Sequence, residues 1–140
     1  MRKIAIFVEG QTEMLFVDRL IQEIATESGL AVEHAEAIGG AIRGRQIRVL
    51  KRLTLQPHHR YYVLIVNSAG DSNVKSDIIE RYESLKRSGY SAIIGLRDVY
   101  GQFRYEDVAR LRAMLKVGMP EDEELQVELL LAVMEIEAWF

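Results

Sequence analysis

Met1-Arg2-Lys3-Ile4-Ala5-Ile6-Phe7-Val8-Glu9-Gly10-Gln11-Thr12-Glu13 is the stretch that decides the fold. Ile4 to Val8 is an unbroken apolar run of strand length, and it stops at a carboxylate, a glycine and a helix-start signal. Thr12 is the expected N-cap, and Leu15, Phe16, Leu20 and Ile24 recur at helical spacing down to Ser28-Gly29. A strand turning into a helix puts its corner at the carboxyl edge of an α/β sheet, where ligands and catalytic groups collect. Glu9 at that corner, with Glu13 one helical turn later, is an unusual choice for a turn alone.

Further along, the same alternation returns. Ala31 to Ile38 reads as a short strand ending at Gly39-Gly40, and Tyr61 to Val66 as a buried strand closed by Asn67-Ser68-Ala69-Gly70-Asp71. Val74 to Arg87 reads as a helix with Ile78, Tyr82 and Leu85 inward. Ala92 to Leu96 is a third buried strand, followed at once by Arg97-Asp98. Ile42 to Leu53 is expected to be helical, with Ile42, Val49 and Leu53 on one side, and Tyr105 to Val117 likewise. Leu125 to Ile136 is apolar enough to be either strand or helix. Near-continuous apolar strands alternating with helices predict an α/β fold, a Rossmann-like, mostly parallel sheet flanked by helices.

Composition bounds the class. A chain of 140 residues, 49% hydrophobic and 28% charged, is expected to form one globular domain over residues 1–140. No apolar run approaches the roughly 20 residues of a membrane span, and the first one ends too early at Glu9 for a signal peptide. A cytoplasmic protein with no membrane partner is the expectation. The absence of cysteine excludes disulfides and thiolate metal sites, leaving carboxylates and imidazoles as ligands.

The net charge of -3 hides an asymmetry. No acid stands between Glu36 and Asp71, a stretch that carries Arg43, Arg45, Arg48, Lys51, Arg52 and Arg60, whereas Glu121 to Glu137 is acidic without a base. Arg45, Arg48 and Arg52, at i, i+3 and i+7, stripe one face of the expected helix. Together with Arg43 they suit a phosphate backbone. A solvated face, or pairing with the acidic segment within the fold or across a homodimer, is the alternative. His58-His59, after Pro57, reads as an ordinary loop.

The strand ends at Glu9, Asn67 to Asp71 and Asp98 share one sheet edge if the strands are parallel neighbours. Carboxylates gathered there form a hard oxygen site suited to Mg²⁺ or Mn²⁺, and the helix starting near Thr12 aims its amides at the same edge, favouring an anion. The bland readings are a strand-end Glu9 with Gly10 turning, a Glu13 favoured only by the helix dipole, an Asp98 paired with Arg97, and an Asp71 that caps the following helix.

Val8-Glu9-Gly10 before a helix, with an aspartate after a later strand, resembles the Toprim domain of topoisomerases, DnaG-type primases and overcoming-lysogenization-defect nucleases. It is most similar to small Toprim-like proteins that combine Glu9 to Glu13, Asn67 to Gly70 and Glu135 to Trp139 in this order. The resemblance implies a Mg²⁺-dependent (or Mn²⁺-dependent) nuclease or related phosphodiester-processing enzyme. Glu9 and Asp98 would be its catalytic metal ligands, nucleic acid its substrate (DNA ahead of RNA), and an ATPase its partner. Its pattern places a second acid two residues after Asp98, where this chain has Tyr100. A tyrosine hydroxyl is protonated near pH 7 and replaces a carboxylate poorly. Glu13, Asp71, Glu135 and Glu137 are the candidates to complete the site; Glu135 and Glu137 share a face if their segment is extended. The alternative is a catalytically inactive binding or assembly module that keeps the fold. The apolar ending Ala138-Trp139-Phe140 reads as a C-terminal truncation or a surface awaiting a partner.

Overall fold

Alternate side chains along the strands fall on opposite faces of one sheet, and in the central strands both faces are buried. The computed structural model describes residues 1–25, 29–40, 44–51, 53–70, 73–98 and 107–132. In chain order these form β1 (Arg2–Val8), α1 (Gln11–Ile24), β2 (Leu30–Ile38), β3 (Gln46–Lys51), β4 (Tyr61–Asn67), α2 (Asn73–Arg87), β5 (Ala92–Asp98), α3 (Asp107–Lys116) and β6 (Gln126–Ala132). The strands make one six-stranded sheet in the order β3-β2-β4-β1-β5-β6. Every pairing is parallel except that of β3 with β2 at one edge.

β1 pairs with β4 and β5 on its two edges, and core clusters under α2 and α1 cover its two faces, as its unbroken apolar run requires. Ala5 and Phe7 join Leu64, Val66 and Ile93 beneath Val74, Ile78, Tyr82 and Leu85 of α2. Ile6 and Val8 join Val63 and Ile65 beneath Met14 and Val17 of α1 on the other side. Burying each such side chain contributes about 1.5–3 kcal/mol, and the two clusters clamp the central strands between the helices. Gly95 of β5 allows α2 its close approach. A methyl there would stand 2.5 Å from Leu129 Cδ2 and 2.9 Å from Ile78 Cδ1.

Two expectations need correction. Residues 46–51 are a strand rather than part of a helix. Ile47 and Val49 pack against the α2-side core, while Gln46, Arg48 and Leu50 point outward. That alternation outcompetes the weaker helical spacing of Ile42, Val49 and Leu53. Ile38 therefore pairs with Gln46 across an antiparallel connection, which includes Gly39 and Gly44, both at positive φ. The second correction is the start of α1, whose N-cap is Gly10 in extended backbone rather than Thr12. The ambiguous run after Leu125 is strand over Gln126–Ala132; residues 133–140 lie outside the described set. Among the described residues, no helix is long and apolar enough to cross a membrane.

Candidate metal centre

Parallel pairing brings the ends of β4, β1 and β5 side by side, with Val8 opposite Asn67. Glu9 follows β1, Asp98 closes β5, and Glu13 comes from the first turn of α1. The three are buried, at 5%, 4% and 8% exposure. Each offers a carboxylate oxygen, and these oxygens all lie within 4.8 Å of one another.

The backbone holds this geometry from several sides. The amide of Asp98 donates to Glu9 Oε1 at 3.1 Å, which ties the tips of β1 and β5 together. The loop after β4 grips the other side of the corner: Ser68 N donates to Val8 O, and Gly70 N donates to Glu9 O, both at 2.8 Å. Asn67 Oδ1 accepts from Ala69 N at 2.9 Å, turning that loop through an Ala69 at φ 52°. A non-glycine residue in this region is uncommon and marks a locally demanding turn. Gly10 has a different use. A methyl at Gly10 would stand 3.0 Å from Glu13 Oε2, so the missing Cβ leaves room for that carboxylate.

Gathering like charges in a poorly hydrated site is costly, and the carboxyl donors are those a hard divalent cation takes. Opposite ligands of an octahedral Mg²⁺ stand about 4.2 Å apart, close to the 4.8 Å within which the three carboxylate oxygens lie. The described triad could therefore hold a metal ion. Arg97 lies at its margin, with Nε 4.0 Å from Glu9 Oε1.

Other nominated residues go elsewhere. Arg45, expected on a phosphate-facing helix, turns inward. Its Nε lies 2.8 Å from Asp77 Oδ1, and Nη2 donates to Ser68 O at 2.6 Å and Ala37 O at 3.2 Å. Burial pushes the Asp77 carboxyl above its ordinary range, while the Ser68 hydroxyl and the Arg45 guanidinium pull against that shift. Arg48 is exposed on β3 and pairs with Glu36. The two arginines share no helical stripe. His59 Nδ1 accepts from Gln56 N at 2.9 Å within the loop before β4. Arg43, Arg52, Asp71, Tyr100, Glu135 and Glu137 lie outside the described residues.

The pairing of half-buried Arg45 with buried Asp77, and the reach of Arg97 toward Glu9, have no counterpart in the sequence reading. Arg97 was legible as a base beside Asp98, but its neighbour is the carboxylate one strand over. Comparison with protein-family models, with curated proteins and with solved structures finds no match.

Proposed function

We propose that this chain is a Toprim-like, Rossmann-type domain acting as a Mg²⁺- or Mn²⁺-dependent nuclease or related phosphodiester-processing enzyme. The observation that carries the reading is the convergence of buried Glu9, Glu13 and Asp98 at the carboxyl edge of a parallel sheet. Glu13 takes the place of the second acid that the resemblance puts after Asp98. A divalent ion bound there supplies charge neutralisation at a phosphate and an acidified water. The residues do the rest. Glu9 is oriented by the Asp98 amide. The first amides of α1, capped by no side chain, favour an anion at the same corner. Nucleic acid, DNA ahead of RNA, is the substrate class this reading takes.

Calorimetric titration of Mn²⁺ into the wild type, Glu9→Gln and Glu13→Gln is the direct test, paired with incubation of each protein with plasmid, single-stranded DNA and RNA. The expected result is saturable Mn²⁺ binding that weakens at least tenfold in both variants, with cleavage lost in parallel. Mn²⁺ binding that ignores both substitutions would remove the enzyme reading and leave a non-catalytic assembly module.

A further inference from the structure

A cavity of about 530 Å³ opens between α2, the end of β5 and α3. Its volume falls within the range of about 300–1,000 Å³ typical of small-ligand sites. Three cationic side chains line it: Lys75 from the first turn of α2, Arg97 from β5 and Arg110 from α3. Asp107 is the one carboxylate among the described lining residues, and Leu111 and Met114 supply an apolar wall. Lys75 Nζ donates to Met114 O at 3.0 Å, which fixes α3 against α2 and holds that ammonium at the cleft. Arg97 belongs to both places, since it lines the cavity and stands 4.0 Å from Glu9.

The negative centre and the positive cleft share one arginine, Arg97. Lys and Arg donors recognise phosphate oxygens through charge-assisted hydrogen bonds, and the apolar wall suits a sugar or base edge. We propose that this cleft is a phosphate subsite that holds a nucleotide unit beside the one at the acidic triad. Lys75, Arg97 and Arg110 contact its phosphate, and Leu111 and Met114 pack on its apolar part. The naming of a nucleotide rests on the phosphodiester reading above; the cation set and its geometry do not.

The probes are two 3′-fluorescein hexathymidylates, one with a 5′-phosphate and one with a 5′-hydroxyl, titrated by fluorescence anisotropy in EDTA. Arg110 is exposed, so Arg110→Gln spares the core. It should weaken binding about tenfold and flatten the plot of log K against log salt by about 0.7. Lys75→Gln should act in the same direction. A loss confined to the 5′-phosphorylated strand places a terminal monoester in the cleft, and an equal loss on both strands places a backbone diester there; each supports the subsite. Wild-type protein that binds neither strand, or variants with unchanged affinity and salt slope, overturns it. Mn²⁺ titration of the same proteins keeps the two readings apart. Arg110→Gln should retain Mn²⁺ binding, and Glu13→Gln should retain oligonucleotide binding while losing the metal.

Discussion

On the β2–β4 side of the carboxyl edge, Asp77 is buried facing Arg45 at 2.8 Å. On the β1–β5 side, Glu9, Glu13 and Asp98 are buried facing one another. Arg45 stands just before β3 and Asp77 in α2, while Glu9 and Asp98 stand at strand ends and Glu13 in α1; both groups touch the same loop, through Ser68 O and Gly70 N respectively. The first brings its counter-charge inside the fold and so acts as a strut between β2, β4 and α2. The second concentrates charge of one sign at a helix start, a donor set that could hold a metal ion.

The strut can be broken directly. Arg45→Met strands the Asp77 carboxylate in the interior, and removing one partner of a buried pair costs about 3 kcal/mol. A urea midpoint shifted down at constant slope would register that loss. Adding Asp77→Asn should recover most of it. The opposite outcome, unchanged stability with lost oligonucleotide affinity, would return Arg45 to the phosphate-binding role that the sequence suggests and dissolve the contrast.

The acidic centre should respond with the opposite sign. In metal-free buffer Glu13→Gln removes one of three converging carboxylates, so its melting temperature should rise by about 3 °C. With Mn²⁺ at a hundredfold excess over Kd, the wild type should gain about 2.7 kcal/mol while the variant gains little. Differential scanning calorimetry with and without Mn²⁺ reads both effects. A metal-free variant that melts below the wild type would make Glu13 a helix-start residue serving α1 alone.

How much of this was legible follows from how each region is built. β1, β4 and β5 are covered on both faces, so their apolar runs announce them, and with them the edge that carries Glu9 and Asp98. Glu13 was legible as one acid among several; only the fold chose it, through the turn at Gly10 that sends its carboxylate back toward the strand ends. The 46–51 strand reads as helix because its alternation is shallow: Ile47 and Val49 are only half-buried on an edge strand, and flanking apolar residues mimic a helical face. That error also hid the Arg45–Asp77 pair, since a partner 32 positions away has no local signature. Lys75, Arg97 and Arg110 come from three elements, and no spacing in the chain relates them.

A third charged group separates pairing from burial. Lys86, near the end of α2, pairs with Asp122 and lies 3.5 Å from Glu124 Oε2, but here both partners stay in contact with water. The Lys86 ammonium, and then the Glu124 amide, pull the Asp122 carboxyl below its ordinary value. The Asp122 hydrogen bond raises Lys86. A depressed carboxyl stabilises the fold above its ordinary titration range, and that contribution is lost as the pH falls through the folded-state value. The raised amine contributes below its ordinary range and loses that contribution as the pH rises through its folded-state value. Asp122→Asn should therefore melt slightly below the wild type at pH 7, and the gap should close at low pH, where the wild-type carboxyl is also neutral. Thermal melts from pH 2 to 7 measure it. The gap should be far smaller than that of Arg45→Met, because solvent screens a pair that is open to water on both sides. An equal loss at both sites would mean that pairing alone, and not the burial of Asp77, sets the strength of the strut.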